Sequence, residues 1–216
     1  MIKAEHNKYA KFVFDIYLKR LLKSSFEDFT LINQFPKIDE NKGLVVVANH
    51  FSWWDGFFVY WLLNKKLNRK IFIMMLEEQL KRYWFFQKIG CYSINLENKN
   101  STITSLRYTL ERTKNKSDVV VIFPQGEIQP YEKRPIELKD GINFLSKTTN
   151  EDFLIVPIAF KIHYANEKNP FVFCRCGGLI SSKDINADSN FFGKKFVENL
   201  DSLSTEFSSS IKQSLL

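Results

Sequence analysis

The chain has 216 residues, 25% charged and 44% hydrophobic, with 21 Phe, 8 Tyr and 4 Trp and a formal net charge of +7. That is the size of one domain able to bury its own core, which excludes a disordered chain or a small disulfide scaffold. The basic balance favours an anionic partner, whether nucleic acid, membrane surface or phosphorylated ligand, and does not by itself choose among them.

Residues 1–6 lack the apolar stretch of a signal peptide, and no window reaches the roughly 18 apolar residues that span a bilayer. The expected location is the cytoplasmic side, soluble or bound peripherally to the membrane face. Over residues 8–23, Ala10, Phe14, Tyr17 and Leu21 fall on one stripe widened by Val13 and Leu18, with Lys8, Lys19 and Lys23 opposite. This predicts an amphipathic helix, within an N-terminal segment 1–30 that precedes an α/β domain over 31–216. Either its apolar face enters an anionic membrane surface, or that face packs on the core and leaves the basic face solvated. Residues 31–42 read as an irregular connection.

The run Val45-Val46-Val47-Ala48 is a buried strand that stops at Asn49-His50 and turns into the aromatic helix 54–63. Ser52-x-x-Asp55 resembles a capping box with Ser52 at the N-cap, a turn that would carry the Asp55 carboxylate back to the His50 imidazole. A His held this way is a general base for a hydroxyl. From spacing alone, His50 can equally be a satisfied side chain at a strand end, and Asp55 a residue favoured by the helix dipole.

Strands are predicted at 71–75, 90–95, 118–123, 153–160 and 171–175, and helices at 77–88, 101–113 and 139–147, with a terminal helix from 190 onward. In the helix over 101–113, Ile103, Leu106 and Leu110 form the stripe and Ser105 lies off it. Pro157 implies an edge strand or a bulge. The alternation predicts one α/β domain with a mixed, largely parallel central sheet flanked by helices. The three cysteines lack CxxC spacing, so a reducing compartment is expected, with Cys174 and Cys176 packed in the core. No metal-ligand cluster stands out, so no metal is expected. After the strand at 118–123, Pro124-Gln125-Gly126 forces a turn whose bare backbone can approach a ligand or a developing oxyanion.

Four ordered blocks, Asn49-His50-Phe-Ser52-Trp-Trp-Asp55, Gly90-Cys-Tyr-Ser-Ile-Asn95, Phe123-Pro124-Gln125-Gly126 and Val156-Pro157-Ile158-Ala159, resemble those of the glycerolipid acyltransferase family, typified by 1-acylglycerol-3-phosphate (lysophosphatidic acid) acyltransferases. The resemblance covers residues 44–160. It implies acyl transfer from acyl-CoA or acyl carrier protein to a lipid hydroxyl, with His50 as base, Asp55 orienting it, and Asn49, Ser52, Gln125, Gly126, Glu127 and Ile128 as the substrate-binding set. It implies no cofactor beyond the acyl donor. Members that use glycerol phosphate carry F-P-E-G-T-R in the third block. Here Gln125, Glu127 and Ile128 replace its Glu, Thr and Arg, and Leu96 stands where a second Arg is customary. A neutral or zwitterionic acceptor fits Glu127 better, with Lys99, Arg107, Lys133 or Arg134 as replacement charge. The reading of another class is a non-catalytic lipid- or nucleic-acid-binding protein with a basic aromatic surface; on the enzyme reading no nucleic acid is a partner.

Overall fold

The computed structural model describes residues 1–206 and 213–216. Asn7 starts helix α1 (Lys8–Ser25), its Oδ1 accepting the N–H groups of Tyr9 and Ala10 at 3.0 Å each and so satisfying donors the helix leaves unpaired. Strands β1 (Phe29–Leu31) and β2 (Gly43–Ala48) follow, then α2 (Asp55–Lys66), β3 (Lys70–Leu76), α3 (Glu77–Arg82), a 3₁₀ turn (Trp84–Lys88) and β4 (Cys91–Ile94). Beyond them come α4 (Lys99–Lys114), β5 (Asp118–Ile122), α5 (Gly141–Thr148), β6 (Phe153–His163) and β7 (Phe171–Cys176). The described chain ends with β8 (Ile180–Ser181), α6 (Ser182–Ala187), α7 (Phe191–Glu206) and β9 (Gln213–Ser214).

The strands form one sheet in the order β4-β3-β5-β2-β6-β7-β1-β9, with β8 also paired to β6. From β4 to β6 every neighbour is parallel; β7 and β8 run antiparallel to β6, and β9 to β1. Every residue of β2 and β5 is buried, the expected fate of β-branched runs covered on both faces. The two-residue alternation divides the core. Val46 and Val121 join Phe14 and Leu18 of α1 and the aromatic side chains of α2 on one face. Val45, Val47 and Val120 join Leu106 of α4, Ile142 of α5 and Phe196 of α7 on the other. This is the single α/β domain with a mixed, largely parallel sheet that the sequence predicts.

Four local expectations are corrected. In α1 the buried row is Phe14, Leu18 and Leu22, while Tyr17 is 53% exposed. Phe14 sets this orientation by packing its ring against Phe57, Tyr60, Phe85 and Phe86, which leaves Tyr9, Phe12, Val13, Ile16 and Tyr17 as a second, outward apolar ridge. Ser105 is fully buried instead of lying off the stripe, because its Oγ donates to the Ser93 carbonyl at 2.8 Å and seats α4 on β4. The strand carrying Pro157 is interior: it pairs with β2 along one flank, while on the other Leu154 and Ile155 pair with β8 and Ile158–His163 with β7. Pro157 thus sits at the break between two partners, where that flank's ladder is interrupted. Within the segment read as helix over 77–88, α3 ends at Arg82 and the 3₁₀ turn takes over.

Strand β1 lies where the sequence shows little, because three residues are too few for a period to register. The terminal helix is α7; residues 207–212 of that expectation lie outside the described residues, and Gln213–Ser214 form the strand β9 instead of continuing a helix. The N-terminal segment lies beside β4. Ile2 N–H donates to Ser93 Oγ and its carbonyl accepts Ser93 N–H, Glu5 N–H donates to the Gln87 carbonyl, and His6 bridges Ile89. A sheet edge is covered in this way.

Candidate active site

Strands β2 and β5 are parallel neighbours, with Val47 opposite Ile122, so their carboxyl ends open side by side. Open α/β sheets bind ligands beyond such ends. His50 follows the end of β2 and Phe123 follows β5; their rings stack at 4.6 Å between centroids. His50 Nδ1 lies 2.8 Å from Asp55 Oδ2. The same oxygen accepts the N–H groups of Phe51 at 2.7 Å and Ser52 at 2.8 Å, which fixes the carboxylate before it meets the ring. Ser52 Oγ accepts Trp54 N–H at 3.0 Å, so the turn is side-chain braced, but helix α2 opens at Asp55 and Ser52 is not its N-cap. The predicted approach of Asp55 to His50 holds through this tighter turn.

Asp55 is fully buried, and its Oδ1 has no partner among the described residues. Burial pushes its carboxyl above the ordinary value, against the hydrogen bonds from His50, Ser52 and Phe51 that favour the charged form. An anion so placed holds a proton on Nδ1 and leaves Nε2 with its lone pair. The imidazole itself lines a cavity of about 920 Å³.

That cavity passes over the carboxyl ends of β3, β4 and β5 and reaches both faces of the sheet. On one face it is lined by Phe57, Tyr60, Phe86 and Cys91, on the other by Ile94, Leu106 and Ile142. Its size and apolar walls suit an amphiphile of moderate length. Burial pushes the Cys91 thiol up to about 12, so it stays protonated at neutral pH and offers wall rather than nucleophile. Among the described residues, no group of three or more His, Cys, Asp or Glu side chains is placed to hold a metal ion.

A family model described as acyltransferase matches residues 29–161, more than half of the chain. The chain belongs to the acyltransferase family. Its fold is similar to that in the crystal structure of the 1-acyl-sn-glycerophosphate (LPA) acyltransferase PlsC from Thermotoga maritima, with a TM-score of 0.65 and 18% identity over 95% of this chain and 84% of that one. No curated protein matches.

Of the six side chains expected to bind substrate in this acyltransferase, three line the cavity, namely Gly126, Glu127 and Ile128. The other three brace the site. Asn49 bridges to β6, its Nδ2 donating to the Phe160 carbonyl at 2.9 Å and its Oδ1 accepting Phe160 N–H at 2.7 Å. Gln125 is buried and its Oε1 accepts His50 N–H at 2.6 Å, while Ser52 serves the turn before α2. The Gly126 N–H is itself taken by the Phe123 carbonyl at 3.0 Å, so Gly126 contributes space rather than a donor.

Of the four cations weighed as replacement charge, only Lys99 reaches the cavity. Lys133 pairs with Glu137 at 3.3 Å, Arg134 pairs with Asp201 at 2.8 Å, and Arg107 points from the exposed side of α4. Lys139, which sequence reasoning missed, lines the cavity instead. No spacing rule finds it, because it is carried to the site by a long-range bond from its own N–H to the Pro124 carbonyl at 2.7 Å. Phe123 was legible as part of the third block, yet its stacking on His50 was not.

Proposed function

We propose that this acyltransferase moves a fatty acyl group from acyl-CoA or acyl carrier protein to the hydroxyl of a lysolipid, with His50 as general base. The observation that carries this reading is the His50–Asp55 pair, 2.8 Å apart, opening onto an apolar cavity of about 920 Å³. Nε2 takes the proton of the acceptor hydroxyl as its oxygen attacks the thioester carbonyl. When the tetrahedral intermediate collapses, the carbon–sulfur bond breaks and the thiolate leaves with the proton from the imidazolium. Asp55 stabilises the charge on the ring between these two transfers. The product is an ester and a free thiol, with no covalent acyl-enzyme.

Two features support a lipid acceptor met at a membrane. Trp53, Leu76, Leu96 and Ile128 line the cavity while being 39–57% exposed, so its rim is apolar. The outer ridge of α1 adds Phe12 at 65% and Val13 at 59%, beside the exposed Lys8, Lys19 and Arg20. Among the described residues no helix is long and apolar enough to cross a membrane; this exposed surface is the one we propose for attachment. The similar fold of an enzyme named for 1-acyl-sn-glycerophosphate supports a lysolipid acceptor.

The test is thiol release from acyl-CoA or acyl carrier protein with a panel of lysolipids. His50→Ala is expected to lower the rate by at least about a hundredfold. Equal rates in parent and variant would exclude His50 as the base, and binding of lysolipid or nucleic acid with no thiol release from any donor would replace catalysis by binding.

A further inference from the structure

The cavity is mostly apolar. Apart from His50, its only charged lining side chains among the described residues are Lys99, Glu127, Lys139 and Asp140. They come from three stretches, the start of α4, the loop after β5 and the approach to α5, and all four are exposed. Lys139 and Leu96 both pack over the space beside Gly126, which adjoins Glu127, and Leu96 lies three residues before Lys99. This gathers the two cations and two carboxylates there, while Phe14, Phe86, Ile89 and Cys91 bring no charge to the rest of the lining.

Lys139 is held in place rather than free to wander. Its backbone is tied to Pro124, and its stem crosses Gly126, where an added Cβ would meet Lys139 Cγ at 3.1 Å and Cε at 3.3 Å. Gly126 has φ +74°, so both its backbone and the space above it call for glycine. The same turn grips the catalytic histidine from two sides: Gln125 Oε1 accepts His50 N–H, and Gln129 N–H donates to the His50 carbonyl at 2.9 Å. The ammonium group and the imidazole are thus referenced to one another through a single short loop. Neither Lys99 nor Lys139 is in an ion pair among the described residues, unlike Lys133 and Arg134. Glu127 Oε1 is 3.4 Å from Gln129 Nε2, which keeps its carboxylate on the same loop.

We infer that this charged end is a headgroup site for a zwitterion: Lys139 and Lys99 take the phosphate of a phosphodiester, and Glu127 with Asp140 takes the cationic group beyond it. The inference rests on the lysolipid reading above and names its headgroup class. A phosphate monoester pairs with the two lysines alone and leaves both carboxylates without a cationic partner beside a dianion. An uncharged glycerol head satisfies none of the four. A phosphodiester with an ammonium group pairs with both signs at once.

Acylation of lysophosphatidylethanolamine, lysophosphatidate and monoacylglycerol of one chain length tests this. The parent is expected to show the highest kcat/KM with lysophosphatidylethanolamine. Lys139→Ala should raise KM for that lipid about tenfold with little change in kcat, and Lys139→Arg should restore it. Glu127→Gln should shift preference toward lysophosphatidate. A parent that prefers lysophosphatidate, or a Lys139→Ala variant that slows all three acceptors alike, overturns the inference. A rise in KM for acyl-CoA alone gives the lysines to the donor and also overturns it. Binding separates this inference from the catalytic reading. Trp53 lines the cavity, so its fluorescence reports short-chain lysophosphatidylethanolamine in a His50→Ala background, where Lys139→Ala must weaken binding about tenfold; unchanged binding defeats the headgroup site even if the enzyme is active.

Discussion

At the scale of single residues, Asp55 works against the stability of the fold that holds it. Burial raises its carboxyl, so the folded state favours the protonated form more than the unfolded chain does. That contribution to stability is present in full at acid pH and is lost as pH rises through the raised folded value, so at neutral pH the buried charge is a net burden. Asp55→Asn keeps an oxygen for the Phe51 and Ser52 N–H groups and removes the charge. Its Tm at pH 7 is expected to equal or exceed that of the parent, with the gap closing below about pH 4. Its acyl-transfer rate should fall by roughly 10³–10⁴, the scale seen when a catalytic histidine loses its carboxylate. A variant both unstable and active would show that Asp55 serves the turn and not the imidazole. His50 and Asp55 were legible in the sequence because both ends of their interaction lie within one six-residue turn.

At the scale of elements, the N-terminal segment depends on one glycine. Gly90 has φ +109°, and an added Cβ would lie 2.2 Å from the Ile71 carbonyl oxygen and 2.7 Å from His6 Cε1. Gly90→Ala would therefore strain the backbone and push the segment off β4, with an expected loss of at least about 2 kcal/mol in denaturant unfolding. A loss below about 0.5 kcal/mol would mean that the segment moves aside freely. Helix α1 shows a different limit of sequence reading. Its apolar residues cover two faces, one fitted to Phe57 and Tyr60 and one left outside, and a single stripe drawn through them mixes the two. Pro157 misleads for a related reason: the rule about proline concerns ladder partners, and only the assembled sheet reveals a strand that changes partners halfway.

At the scale of the whole molecule, the proposed function has a net charge of +7 and the outer ridge of α1 acting together at an anionic surface. Deleting α1 would not test this, because Phe14, Leu18 and Leu22 are core. Replacing Phe12, Val13 and Ile16 by serine leaves that core row intact. The triple variant is expected to bind anionic vesicles at least about tenfold more weakly in sedimentation at low salt. Binding by the parent should itself weaken as ionic strength rises, as screening requires. Vesicle binding unchanged by the triple variant would assign attachment to the cavity rim instead.

What the sequence by itself determined is the set of features that short-range physics writes into consecutive residues: the buried runs of β2 and β5, the turn that returns Asp55 to His50, the glycine after β5, and with them the family. What only the tertiary structure decided is which surfaces those features share. The cavity crosses both faces of the sheet, Asn49 and Gln125 hydrogen-bond to backbone groups of β6 and His50, and Lys139 reaches the site through a hydrogen bond to Pro124, 15 positions earlier. A periodic pattern reports whether a residue is buried, because burial repeats with the helix or strand. It does not report which distant side chains meet, since loop closure and packing set those contacts and leave no period in the chain.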